Sequence, residues 1–287
     1  MALGNLAQRF LVAVVAVPIL LLILHYHRPE PTWALIFVAS LLAMNEFFGM
    51  TLAKEDRLPA LVMGALSVAA FYWLDPVTLA GAHWAPTAMQ KVAVEGNALA
   101  TAFAVVVPGL YYLFRFRDIP SVASRFAATV TGIVYCGFLA TYLSKLKVLG
   151  GPDHGGDAVM IVLLIAWIAD TGGYFAGRYL GKAKLYEAVS PKKTWAGAWG
   201  GIAGSVLGVL VLKLFFADWM TWVDVFALAI PGGILGQLGD LAESLIKRSV
   251  GVKDSGALLP GHGGILDRID AVLFIAPYVY GYLLVRS

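Results

Sequence analysis

Nine stretches of mostly apolar residues, separated by short polar or charged connections, run the length of the chain: residues 10–24, 33–50, 58–74, 99–114, 126–143, 158–174, 196–216, 222–238 and 265–285. Each is close to the roughly 20 residues with which an α-helix crosses the hydrocarbon core of a bilayer. No stretch alternates apolar and polar positions as a membrane-spanning strand does, and helices satisfy their own backbone groups in lipid. The pattern predicts an all-α, polytopic membrane bundle of about nine transmembrane helices. The first run has the look of a secretory signal. However, His25-Tyr26-His27-Arg28 follows it in place of a small-residue cleavage site, so it reads as a first span. Five spans fall in residues 1–150 and the remainder in residues 151–287, which hold most of the polar clusters.

The basic residues orient these spans. With the N-terminus inside, the inner segments hold Arg9, Lys54, Arg57, Arg115, Arg117, Arg125, Arg178, Lys182, Lys184, Lys192, Lys193, Lys247, Arg248, Lys253 and Arg268. The outer segments hold only Arg28, Lys91, Lys145, Lys147, Lys213 and Arg286 of the 21. Lys and Arg collect on the cytoplasmic side, so the expectation is N inside and C outside. The longest outer connection, residues 75–97, reads as an ordinary external loop. His25, His27, His83 and His154 are expected in solvated outer loops, and Gly200, Gly204 and Gly208 mark a face for close helix packing.

Composition narrows the class. Of the 287 residues 60% are hydrophobic and 14% charged, with mean hydropathy +0.78; soluble domains carry about a quarter charged residues. A soluble enzyme, a disordered chain and a disulfide scaffold are all disfavoured, the last also because Cys136 is the single cysteine. A net charge of +3 is too mild to suggest a nucleic-acid partner.

In so apolar a chain, polar residues placed at membrane depth carry the information. They form three clusters: Asp170-Thr171-Gly172-Gly173, Ser190-Pro191-Lys192-Lys193-Thr194-Trp195, and the dense run from Gly236 to Asp270. In the last, Gln237, Asp240, Glu243, Ser244, Lys247 and Arg248 recur at three and four residues, one stripe of a helix. Asp267 and Asp270 share a face of the final helix, and with Asp240 they form an oxygen-donor set suited to a hard cation. The glycines around His262 admit a ligand close to the backbone, and the helix start beyond them attracts phosphate. The lysines and hydroxyl of the 178–194 loop suit a polyphosphate; a positive-inside anchor explains Arg178, Lys182 and Lys184 adequately but the order Ser190-Pro191-Lys192-Lys193-Thr194 less well. The competing view of the dense run is a set of ion pairs that stabilises an interfacial loop. His262 reads as a general base, a phosphate ligand or a loop cap, and Glu46, beside Asn45 inside the second run, as a headgroup contact or a helix-pairing group. The phosphate-binding pattern GxxxxGK[ST] is absent, since Gly181-Lys182 is followed by Ala183.

Ser244-x-x-Lys247-Arg248, Lys253-Asp254 and Pro260-x-His262-Gly263-Gly264-x-x-Asp267-Arg268-x-Asp270 together resemble the hallmark of the phosphatidate cytidylyltransferases (CDP-diacylglycerol synthases), without departure across residues 244–270. Asp170-Thr171-Gly172 and Ser190-Pro191-Lys192-Lys193-Thr194-Trp195 resemble the family's upstream elements, with one departure at Ala196, where relatives often carry a larger polar residue. The resemblance covers residues 166–282. It implies a polytopic α-helical enzyme that joins CTP to phosphatidic acid to give CDP-diacylglycerol and pyrophosphate. It further implies Mg²⁺, a second cation such as K⁺, a homodimer, and a bacterial inner membrane with the site facing the cytoplasm. On this resemblance Asp240, Asp267, Lys247 and Arg268 are catalytic, and Asp240, Asp267 and Asp270 hold the metal. Asp170, Ser190, Lys192, Lys193, Thr194, Ser244, Arg248, Lys253, His262, Gly263 and Gly264 bind substrate. Rival readings are an ion-coupled transporter, which predicts broken helices in both halves, a CTP-using lipid kinase, and a phosphatidyltransferase, whose D-G-x-x-A-R pattern is missing.

Overall fold

The computed structural model describes residues 5–80, 87–256 and 263–286. Each of the nine apolar runs has a helix: α1 (Asn5–His25), α2 (Glu30–Thr51), α3 (Lys54–Trp73), α5 (Thr87–Phe114), the α6–α7 segment, α8 (Gly151–Leu180), α9 (Trp195–Phe215), α10 (Trp222–Ser249) and α11 (Leu266–Arg286). The α6–α7 segment is one continuous rod: α6 (Ile119–Gly132) passes through a π-helical turn, Ile133–Phe138, into α7 (Leu139–Leu149). Among the described residues, seven of these helices are long and apolar enough to cross a membrane. α1 and α3 fall outside that set, and α3 opens on Lys54-Glu55-Asp56-Arg57. The chain is an all-α, polytopic integral membrane protein.

Helix starts follow from local chemistry. Asp118 accepts the backbone N–H of Ser121 (3.1 Å) at the start of α6, and hydrogen bonding from Ser121 holds its carboxyl below the usual range. Thr194 accepts from the Gly197 N–H (3.2 Å) to cap α9, and Thr221 and Asp224 form a reciprocal capping box at α10.

Two expectations change. The 75–97 connection is not an ordinary loop: it carries α4 (Pro76–Ala80) and the first turns of α5, because Asp75 accepts the N–H groups of Val77 and Thr78 and so caps a helix. The 178–194 loop contains an antiparallel hairpin, β1 (Lys184–Tyr186) with β2 (Ser190–Thr194).

The apolar core has two parts. One gathers residues of α8 to α11 with Leu24, Leu143 and Leu146; the other gathers α2, α3, α5 and the π-turn, and takes in Leu266 and Leu273 of α11. The two halves of the chain therefore meet along α11. α8 and α9 pack backbone to backbone: a Cβ on Gly172 would sit 2.4 Å from the Gly200 carbonyl, and one on Gly204 2.4 Å from that of Ile168. That approach is the close packing expected of small residues at four-residue spacing.

Polar side chains collect at both ends of the bundle. At one end Arg125 grips Asp56 bidentately (2.8 and 3.1 Å). At the other, Lys145, expected in an outer loop, lies buried in α7 with Asp75 at 2.9 Å and Asn97 at 3.1 Å. Lys147 is likewise buried in α7. His25 is part of α1 and meets Asp157 at 3.3 Å, His27 and His154 are exposed, and His83 lies outside the described residues.

Candidate active site

A cavity of 570 Å³ opens between α8, the hairpin, α9, α10 and α11, at the end of the bundle where α8 and α10 finish and α9 and α11 begin. α10 supplies one wall. Its stripe places Gln237, Asp240, Glu243 and Lys247 on the cavity, a turn apart. Gln237 anchors that wall by donating to the Ala198 carbonyl of α9 (3.1 Å).

Each charged member is engaged. Lys193, brought in by β2, lies 2.7 Å from Asp240 Oδ2. Lys247 Nζ lies 2.6 Å from Glu243 Oε2 and 2.6 Å from Asp267 Oδ1, so one amine ties α10 to the start of α11. Glu243 is 1% exposed, and a carboxylate that deep requires such a partner.

Asp267 is the most heavily held group. Besides Lys247 it accepts the N–H of Gly264 (2.9 Å) and the N–H of Ser255 (3.2 Å to Oδ2). The bond back to Gly264, three residues earlier, ties the first turn of α11 to the chain that enters it. Gly263 adopts φ +78, and a Cβ there would also approach Asp267 Oδ2 to 2.8 Å, so glycine is required twice over. Asp270 is buried one turn on, its Oδ1 accepting the N–H of Ala271 (2.7 Å).

Asp170 on α8 and Arg268 on α11 face the same cavity, as do Lys192 and Thr194. Five acids (Asp170, Asp240, Glu243, Asp267, Asp270) thus share the lining with five bases (Arg178, Lys192, Lys193, Lys247, Arg268), so the wall carries no net formal charge. Asp170, Asp240 and Asp270 nevertheless act on one another electrostatically. Among the described residues, no three His, Cys, Asp or Glu side chains converge as a ready metal-ligating group. Asp240 and Asp267 are instead turned to lysine amines. Chemically the donor set suits a hard cation, being all carboxylate oxygen beside space for a ligand.

Residues 7–285 match the model of the cytidylyltransferase family. The chain belongs to that family. Cytidylyltransferases named "phosphatidate cytidylyltransferase" are among its relatives. The Staphylococcus epidermidis protein is 32% identical over 241 residues, 84% of this chain and 85% of the relative. The Synechocystis protein is 35% identical over 198 residues, 60% of this chain and 67% of the relative, and that of Brucella suis 45% over 150 residues, 52% and 54%.

Within this cytidylyltransferase the expected site residues separate by location. Asp170, Lys192, Lys193, Thr194, Asp240, Lys247, Asp267, Arg268 and Asp270 line the cavity, although the Thr194 hydroxyl is used to cap α9. Gly263 and Gly264 sit behind Asp267. Ser190, Ser244, Arg248 and Lys253 are not in the lining: Ser244 reaches Asp240 only at 3.4 Å, and Arg248 donates to the Val252 carbonyl (3.0 Å). His262 lies outside the described residues. Two groups without an assigned role enter the picture. Glu243 was visible as a member of the stripe, its depth was not. Glu46 contacts Ser255, 209 residues away, and no local pattern carries that signal.

Proposed function

We propose that this protein is a phosphatidate cytidylyltransferase, transferring the CMP moiety of CTP to phosphatidic acid and releasing pyrophosphate. The observation that carries this reading is the convergence of Lys247, Asp267, Arg268 and Asp270 with Lys193 and Asp240 on one cavity set among apolar helices. A water-soluble polyphosphate and a lipid phosphate can meet only at such a boundary.

The lipid phosphate oxygen attacks the α-phosphorus of CTP, the new P–O bond forms there, and the bond to the β-phosphate oxygen breaks. A phosphate monoester is already ionised at neutral pH, so no strong general base is needed. The difficulty is charge: two polyanions must approach. Transfer chemistry of this type rests on positioning and charge stabilisation. Lys192 and Lys193 on the hairpin meet the nucleotide's phosphates, while Lys247 and Arg268 stand over the reacting phosphates beside the carboxylates. A lining with no net charge cannot neutralise a triphosphate by itself. We therefore assign Asp240, Asp267 and Asp270 as holders of Mg²⁺, with a second cation such as K⁺ as a further candidate. When bound, the metal would offset phosphate charge at the reacting centre.

The same reading takes nine spans with the N-terminus inside, a bacterial inner membrane, a cavity open to the cytoplasm and a homodimer. The surplus of Lys and Arg on the inner connections supports the orientation. The test is purified protein given phosphatidic acid, Mg²⁺ and CTP labelled in either its α- or γ-phosphate. The α-label should enter CDP-diacylglycerol and the γ-label pyrophosphate. A γ-labelled lipid with release of CDP would overturn the reading in favour of a lipid kinase.

A further inference from the structure

Glu46 lies in the last third of the largely apolar α2 and is 8% exposed. Among the described residues it makes no ion pair, yet a buried carboxylate is costly unless its oxygens are satisfied. Here three donors satisfy it. Oε1 accepts the N–H of Ile265 (2.9 Å); Oε2 accepts the N–H of Leu266 (2.9 Å) and the hydroxyl of Ser255 (3.0 Å). Ile265 and Leu266 stand at the very start of α11, where backbone N–H groups have no partner inside the helix and the helix dipole favours negative charge. Glu46 on α2 is thus the cap of α11, supplied from the other half of the chain.

This cap leads into the cavity. Ser255 uses its hydroxyl on Glu46 and its backbone N–H on Asp267, and Asp267 begins one residue beyond the Leu266 N–H that Glu46 holds. The glycines around it fit the same carboxylate. A Cβ on Gly264 would lie 2.4 Å from Glu46 Oε2, and one on Gly256 2.7 Å from Oε1. Any side chain at these positions would displace Glu46. Glu46 is absent from the lining of the cavity and touches none of the groups proposed to meet phosphate.

We propose that Glu46 is a positioning residue for the transfer reaction: through Ser255 and the first turn of α11 it fixes the Asp267 carboxylate against Lys247. The inference rests on the proposed CMP transfer for its assay, but it concerns how the site is held rather than what it does. Groups that hold a reacting residue in place are typically worth about 10–100-fold in activity when removed. Glu46→Gln keeps the volume but turns an NH₂ group toward donors that need an acceptor. Its kcat should fall about 10–100-fold, with the KM values for CTP and phosphatidic acid within about threefold, as for a contact felt mainly in the transition state. Ser255→Ala, which keeps the backbone N–H, should lower kcat in the same direction. The double variant should be no worse than the weaker single variant, because both cut one chain of contacts.

Hydrogen–deuterium exchange supplies a reading independent of turnover. In Glu46→Gln the peptide spanning residues 263–268 should exchange at least about tenfold faster, while residues 272–284 of α11 stay as protected as in the parent. A parent enzyme without CMP transfer would defeat the functional reading and leave the exchange result to judge the clamp. With an active parent, four results would each overturn the proposal: normal kcat in Glu46→Gln, additive losses with Ser255→Ala, losses confined to KM, or faster exchange spread along the whole of α11.

Discussion

Lys247 Nζ stands midway between Glu243 and Asp267, 2.6 Å from an oxygen of each, and so joins successive turns of α10 to the first turn of α11. One ammonium compensates two carboxylates of which the deeper is 1% exposed. Removing it leaves both uncompensated, and breaking a buried pair in this way typically costs about 3–5 kcal/mol. Lys247→Met should therefore lower the thermal midpoint in detergent as well as abolish turnover. Lys193→Met removes the amine of a more exposed pair, with side chains 24% and 36% exposed, and should lower the midpoint less than Lys247→Met does. Equal stability of the two variants would contradict the bridging role.

Asp267→Asn tests the carboxylate without removing its volume. The amide oxygen can still accept from one backbone N–H, so the fold should persist. Turnover should drop by about 10²–10³, the usual effect of losing one charge contact in the transition state. Near-normal activity would remove Asp267 from the reacting centre.

The hairpin and the start of α11 should separate kinetically. Lys193→Ala should raise the KM for CTP, because β2 presents Lys193 from a segment outside the helical core. Arg268→Ala should instead lower kcat. CTP and phosphatidic acid varied independently in mixed micelles decide the matter. If Lys193→Ala altered only the response to phosphatidic acid, the two assignments would have to be exchanged.

Chelation tests the carboxylate set. Treatment with EDTA should abolish transfer, and added Mg²⁺ should restore it. Asp270→Asn should raise the Mg²⁺ concentration needed for half-maximal rate, since the buried Asp270 lies in the field of Asp170 and Asp240 and a cation relieves that repulsion. Full activity in excess EDTA would exclude Mg²⁺ from the reaction.

Orientation is open to thiol labelling. Cys136 is fully buried and should not react in the folded protein. Lys184→Cys and Lys253→Cys, both exposed and on the cavity side of the bundle, should resist an impermeant reagent in intact cells and react after permeabilisation. Asp153→Cys, exposed at the opposite end, should react from outside. The reverse pattern would invert the bundle and deny CTP its route to the cavity.

Helix runs and stripes are properties of neighbouring residues, and they could be read directly. Each apolar run became a helix, and the spacing of Gln237, Asp240, Glu243 and Lys247 put all four on one cavity wall. The motif from Ser244 to Asp270 likewise pointed to a cytidylyltransferase from its order of residues alone, which the match over residues 7–285 bears out. Pairings between helices were a different matter. Nothing near Glu46 indicates Ser255 and α11, nothing near Lys145 indicates Asp75 and Asn97, and Lys193 and Asp240 lie on separate elements. A charged side chain in an apolar helix must find a partner, but its own stretch of sequence does not say which one. The partner depends on which helix faces meet. That is settled along whole helices by contacts such as the backbone approach of Gly172 to Gly200 and the bridging of both core halves by α11, and it exists only once the bundle has assembled.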